Sequence, residues 1–404
     1  MIAFIIYFAA ILSAISASHI YDVNKFGADS TGRKPSTHAI QKAINKAASN
    51  NGGTVHFPHG QYLSGAIELK SNIILDFADD VVLKFLDDPK EYPPLHKKLP
   101  NGKIVNLQFT PLIRAFDHIN ITIRGNAVLD GHGETWWKRM PPPSTRPVFL
   151  QIFWVRYLTL ENITVKSSPM FNVNLKNCDD VTIRGIKIRN PANYVDPGPN
   201  TDGINVNSCR RVHITGVNIS TGDDCIALDA NGKGKTKTPT EDVLIEDSHM
   251  YAGHGGVSIG SVTSGGLRNV TVRNCIFNGT NRGLFIKSRR GRGGLVEDIH
   301  YHNIQMVDLR KEGIAIAAIY NGSDPGLRSR DFYWEPVNET TPFIRNVEFK
   351  NIHGDSVLNP IFIVGLPESP IENVTFTNVK IESKLDVFTN NTKNVVINGK
   401  VLDS

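Results

Sequence analysis

Long apolar runs are scarce in this chain of 404 residues. The one clear example is Ile2 to Leu12, followed by the small residues Ser13, Ala14, Ser16, Ala17 and Ser18. It reads as a secretory signal over residues 1–18, cleaved near Ser16 to Ser18, which leaves 19–404 as one domain in an extracellular protein. No Lys or Arg precedes the run, so an uncleaved anchor is the competing reading. No other span is long and apolar enough to cross a bilayer. Charge of one sign is also in short supply: the net charge is +5 and the pI near 8.9. That modest excess suits an anionic partner such as nucleic acid, a membrane surface or an acidic polysaccharide, and selects none of them; a solvated face is the plain alternative. With 21% charged and 40% hydrophobic residues, wholesale disorder is excluded. Cysteine is limited to Cys178, Cys209, Cys225 and Cys275, which allow three full pairings and offer no zinc-ligand spacing.

What the chain has instead is a series of glycine-marked clusters between Asn200 and Arg292. They read Asn200-Thr201-Asp202-Gly203, Gly222-Asp223-Asp224, Gly253-His254-Gly255-Gly256 and Arg282-Gly283, the last followed by Lys287. Each precedes a short alternating apolar segment: Ile204 and Val206, Ile226 and Leu228, Val257 and Ile259, Leu284 and Ile286. Superposing those segments puts Asp202, Asp224, Gly255 and Arg282 in one column and Thr201, Asp223, His254 and Asn281 in the next. The steps along the first column, 224−202, 255−224 and 282−255, are 22, 31 and 27 residues, a loose period suited to coils with variable loops. Strands stacked about 4.8 Å apart would bring carboxylates, an imidazole and cations onto one face.

The same unit of strand, Asn/Asp/Gly turn and strand recurs to the C-terminus, as in Ile119–Gly125, Leu158–Val165, Val181–Ile188, Val270–Asn274 and Val374–Asn378. Repeats of this length with few helices predict an all-β parallel β-helix, in which each coil buries its inward side chains only against its neighbours; a propeller ranks second. One helical pattern stands before the coils, with Ala39, Ile40, Ala43, Ile44, Ala47 and Ala48 at helical spacing and Ser36 or Thr37 as its cap, placed to cover the first open coil. Cys178 and Cys209 hold matching positions on successive repeats, so they either bond or form a ladder of buried thiols. Two insertions, Asp87–Pro111 and Gly131–Pro147, are long enough to be functional and should rise beside the site. Within the second, Trp136 and Trp137 either stack on sugar rings or anchor the loop. Nine Asn-x-Ser/Thr sites, among them Asn120, Asn162, Asn218, Asn269 and Asn278, agree with export, although several fall inside strands.

Cleaving a glycosidic bond needs one acid for the leaving oxygen and, for inversion, a base that activates water. Asp202 and Asp224 share a column and are placed to hold that water, while Asp223 points elsewhere along the extended backbone. Three close carboxylates disfavour full ionisation and leave a proton on one of them. The structural alternative is a turn or a calcium site. His254, between glycines, has room for a substrate and can tune the acid, or is a satisfied structural histidine. Lys287 has outward parity beside inward Leu284 and Ile286, so its ammonium can meet a sugar carboxylate. Arg289, Arg290 and Arg292 add cations, or a solvated turn.

The Asn-Thr-Asp, Gly-Asp-Asp, Gly-His-Gly and Ile-Lys clusters, in this order, resemble the signature of the polygalacturonases of glycoside hydrolase family 28. Phe26-Gly27-Ala28 and Thr145-Arg146-Pro147 resemble the family as well. The resemblance implies a right-handed parallel β-helix and hydrolysis of α-1,4-linked galacturonic acid chains with inversion and without a metal or other cofactor. It assigns Asp223 as general acid, Asp202 and Asp224 as the water-activating pair, and His254, Asn200, Lys287 and Tyr320 as further catalytic or substrate-binding residues. The family's usual Arg two places before the Lys is Phe285 here, and Arg282 is the candidate to replace it. Met250 stands where many fungal relatives carry the cysteine that pairs with the one at Cys225. The expected partner is pectin or polygalacturonate, met by a secreted monomer, with no nucleic acid and no membrane once the signal is removed. Exo action is expected from the insertions and the Arg282–Gly294 stretch. A calcium-dependent lyase, a rhamnogalacturonan hydrolase and a non-catalytic polysaccharide-binding β-helix or adhesin are the rivals.

Overall fold

Alternating Val, Ile, Leu and Phe side chains bury one side of each strand, and stacking the strands in register lets that side become the core. In the computed structural model, which describes residues 19–139, 146–191, 198–232, 234–321 and 333–402, such a row runs almost the length of the chain. Ile121 pairs with Leu158, then Val181, Val212, Val243, Val270, Ile299, Val347, Val374 and Val395. All of them are buried, and each such side chain contributes roughly 1.5–3 kcal/mol of transfer free energy. Tyr301, Phe349 and Phe376 continue the stacking as rings 5.0 and 4.6 Å apart. The pairings are parallel throughout this row, which identifies a parallel β-helix and excludes the propeller, an antiparallel architecture. The apolar N-terminal run and Pro141 to Pro143 lie outside the described residues.

Coils turn at asparagines held in the left-handed region, which Asn tolerates better than other residues with a Cβ. Asn120, Asn269, Asn346 and Asn373 have φ between 53° and 55°. Their side-chain amides link coil to coil: Asn120 Nδ2 donates to Asn72 Oδ1 (2.8 Å), Asn269 Nδ2 to Asp242 Oδ1 (2.6 Å) and Asn373 Nδ2 to Asn346 Oδ1 (3.2 Å).

Helix α1, Thr37–Ser49, buries Ala39, Ile40, Ala43, Ile44 and Ala47 against the first strands, Ile20–Asp22 and Gly53–Phe57. Ser36 occupies the N-cap position but does not cap with its side chain. Its hydroxyl instead accepts the amide of Asp29, and the Thr37 hydroxyl accepts that of Gly65, so both tie the helix to the coils. The four cysteines are buried and unbridged. Cys178 N–H donates to Cys209 Sγ at 3.3 Å, which realises the thiol ladder rather than a bond.

The two insertions meet each other. The first forms an antiparallel hairpin, Leu95–Lys98 with Ile104–Leu107, latched to the coils by Lys97 on Glu68 (2.7 Å). The second forms helix α2, Gly133–Arg139. Trp136 is buried on Tyr92 and Phe109 of the first insertion, with ring centroids 5.8 and 5.9 Å apart. It anchors the loop and is not available to a sugar. Trp137 donates Nε1–H to the carbonyls of Ser168 and Pro169, and a Cβ at Gly198 would meet its ring at 2.8 Å.

Candidate active site

A second stack, Ile204–Asn207, Ile226–Asp229, His249–Ile259 and Thr280–Lys287, carries the glycine-marked clusters. Ile204 pairs with Ile226, Ile226 with Val257 and Val257 with Leu284. Counting back along that register places Asp202, Asp224, Gly255 and Arg282 in one column, as the sequence predicts, and Gly255 pairs directly with Arg282. One oxygen from each of Asp202, Asp223 and Asp224 lies within 4.8 Å of the others.

Each carboxylate is held differently. Asp224 accepts Ser258 Oγ–H on Oδ1 (2.9 Å) and Lys287 Nζ on Oδ2 (2.6 Å). A Cβ at Gly255 would collide with Ser258 Oγ and reach 3.0 Å from Asp224 Oδ1, so glycine is what lets this contact form. Asp202 accepts Asn205 Nδ2 on Oδ2 (3.0 Å), and its buried Oδ1 has no hydrogen-bond partner among the described residues. Burial first, then the charges of Asp223 and Asp224, push the Asp202 carboxyl well above its ordinary range. Asp223 is the more accessible. Burial alone would raise it, but the His254 hydrogen bond and charge, followed by Lys287, outweigh that and hold it below the usual value. His254 Nδ1 lies 3.1 Å from Asp223 Oδ1, and this contact raises the imidazole. A cluster whose surroundings push Asp202 up and Asp223 down is equipped for acid–base work.

The cations are spent differently from the expectation. Lys287 is buried, and although burial would lower it, Asp224 holds its ammonium well above the ordinary range. Its ammonium is committed to Asp224 Oδ2 at 2.6 Å and does not project freely into the groove. Arg282 is buried in an ion pair with Glu312 (Nε–Oε2, 2.6 Å). Phe285, which departs from the family pattern, is the floor beneath both: the Arg282 guanidinium lies 4.7 Å and the Lys287 ammonium 5.2 Å from its ring centre. Tyr320 joins them, 5.2 Å from the Lys287 ammonium. Asp223, Asp224, His254, Asn281, Arg282, Phe285, Lys287, Lys311 and Tyr320 line one cavity of about 70 Å³.

Asn200 is not among the lining residues. Its Oδ1 accepts Arg146 Nη2 (3.1 Å), and Arg146 also donates to the carbonyls of Pro169 and Pro199, so Asn200 braces the loop entering Asp202. Arg290 is likewise committed, to Glu368 (2.6 Å), and with Arg289 and Tyr320 lines an adjoining cavity of about 340 Å³. Sequence reasoning passed over Asn205, Ser258, Lys311, Glu312 and Asp229. Asp229 is pushed up to about 6 by burial, against the opposing hydrogen bond from Val262 N–H. Only register reveals these residues. Ser258 pairs with Ala227 and Phe285, a relation visible once the first column is extended three places.

Parallel coils that gather three carboxylates, of which Asp223 and Asp224 line a polar cavity and Asp202 lies buried behind it, make a β-helix equipped to cleave a glycosidic bond. Residues 101–399 match the family described as Glycosyl hydrolases family 28, and residues 20–76 match Rhamnogalacturonase A/epimerase, pectate lyase-like. The chain therefore belongs to glycosyl hydrolase family 28 and is a glycoside hydrolase. It is 28% identical over 385 residues to a probable polygalacturonase of Vitis vinifera, covering 91% of this chain and 76% of that one. With an endo-polygalacturonase of Pectobacterium parmentieri it shares 29% over 368 residues, 86% of this chain and 84% of the relative. Among solved structures, the exopolygalacturonase of Thermotoga maritima superposes with a TM-score of 0.80 at 27% identity, covering 95% of this chain and 93% of that one.

Proposed function

We propose that the chain is a secreted polygalacturonase that hydrolyses α-1,4-galacturonosyl bonds with inversion and acts from a chain end. The observation that carries the reading is the carboxylate trio, with the Asp202 carboxyl raised by burial and by its neighbours. Asp223 is the general acid, and Asp202 with Asp224 activates the water. The trio is tighter than the roughly 6.5–9.5 Å usual for inverting pairs, so the stereochemistry rests on the family resemblance rather than on spacing. Because His254 holds Asp223 low, the resting proton belongs to Asp202, and the assignment requires that proton to pass within the trio when substrate fills the site. A second reading follows from the same fact: Asp202 itself is the acid.

Exo action is favoured by the likeness to the Thermotoga maritima enzyme and by the joined insertions. Trp137 of α2 packs on Gly198, four residues before Asp202, so a wall stands beside the catalytic coil. Helix α1 caps the first coil of one right-handed β-helix spanning 19–404. Residues 1–18 direct export, and the mature protein works as a monomer without metal or other cofactor, nucleic acid or membrane. No described helix is long and apolar enough to cross a membrane.

Product analysis on polygalacturonate is the test, read together with viscosity and reducing ends. Saturated small products released with a slow fall in viscosity are expected. A rapid fall at low cleavage would replace exo by endo action, unsaturated ultraviolet-absorbing products would establish a lyase, and binding without cleavage would establish an inert β-helix.

A further inference from the structure

On the stack of strands away from the carboxylates, Leu295–Leu309 and Phe343–Ser356 run parallel, with His300 in register with Glu348. His300 and His302, two residues apart on one strand, project from the same side. Their rings lie 5.9 Å apart, and both reach the same carboxylate oxygen. His300 Nδ1 is 3.1 Å and His302 Nε2 3.2 Å from Glu348 Oε2, and the three atoms all lie within 4.8 Å of one another.

We propose that His300, His302 and Glu348 form a binding site for a borderline divalent metal ion of the zinc, nickel or copper type. A tetrahedral ion with bonds of about 2.0–2.1 Å keeps its ligand atoms roughly 3.3–3.4 Å apart, so each nitrogen already stands nearly at ligand separation from the carboxylate oxygen. Two imidazoles and one carboxylate are a donor set for such ions and a poor one for calcium or magnesium. All three side chains are about one-third exposed, which leaves an approach for the ion and room for water as the remaining ligand. The neighbouring cations leave the site accessible: Arg273, in register with His302, is turned to Glu246 (2.6 Å), and Lys350 on the other side is exposed to solvent.

The ion would fasten the two ends of one long coil, since His300 and Glu348 are 48 residues apart in sequence. That coil carries Lys311 and Tyr320 of the catalytic cavity and Glu312, the partner of Arg282. A clip closing a long loop stabilises the folded state over the unfolded one.

The test is calorimetric titration of the chelator-stripped full chain with zinc sulfate, paired with thermal unfolding. One equivalent bound, with a rise in Tm, is expected. His300→Ala/His302→Ala and, separately, Glu348→Gln should weaken binding by more than the roughly 10–100-fold that loss of a mere supporting partner costs. Asp224→Asn should leave it intact. Absence of binding to wild type, retention of the equivalent in the double variant, or its loss in Asp224→Asn would each overturn the site. Cobalt(II) added to wild type guards against misfolded variants: tetrahedral, nitrogen-ligated absorption supports the assignment, and a weak octahedral spectrum refutes it.

Discussion

Lys287 can carry its charge into a buried position because Asp224 receives it at 2.6 Å. Removing the ammonium strands a buried carboxylate, which costs about 3–5 kcal/mol for pairs of this kind. Lys287→Ala is accordingly expected to lower both Tm and kcat, and to do so on polygalacturonate and on its neutral methyl ester alike. Loss confined to polygalacturonate would show that the ammonium serves substrate carboxylates instead. The acid can be identified by leaving group: Asp223→Asn should lose at least about 100-fold on polygalacturonate yet recover much of its rate on an aryl galacturonide, whose leaving group needs no proton. If Asp202→Asn shows that recovery, Asp202 is the acid. Asp223 and His254 also set a pH signature. Asp223's share of stability is present above its unfolded value of about 3.9 and disappears as pH falls through its lower folded value. His254's share is present below about 6.5 and disappears as pH rises through its raised folded value. Wild type and His254→Ala should therefore differ most in Tm between about pH 4 and 6.5 and converge in alkali.

At the scale of elements, the insertions act as one piece because Trp136 crosses from α2 to Tyr92 and Phe109. Trp136→Ala removes a buried indole, a change that typically costs about 3–5 kcal/mol. Hydrogen exchange should quicken across Leu95–Leu107 while the strand Leu150–Glu161 stays protected; equal loosening of both would make Trp136 part of the common core. The coils and columns were legible in the sequence because a period-two burial pattern and a glycine before each strand leave a direct trace, so Asp202, Asp223, Asp224 and His254 could be aligned from the sequence alone. Pair formation leaves no such trace. Whether Lys287 faces substrate or Asp224, and whether Arg282 faces the groove or Glu312, depends on side chains reaching across coils 63 and 30 residues apart. The same limit hid Asn200's service to Arg146 and made Phe285 look like a lost contact when it is the surface on which two cations rest.

For the molecule as a whole, the asparagine turns tie one coil to its neighbour where they occur, so the amide that carries the link is unavailable for anything else once the coils have closed. Asn120, Asn269 and Asn373 are all acceptors for N-linked sugar by sequence, and each has its Nδ2 donating to a neighbouring coil. Asn278 ends its strand outside these links. Glycopeptide mapping of protein made in a glycosylating host should find sugar at Asn278 in preference to the other three, and equal occupancy would show that transfer outruns coil closure. Glycan placement on such a fold is then a record of timing: a sequon in a turn is open to the transferase only while its coil still lacks the next one, so the pattern of occupied sites would report the order in which the solenoid was wound.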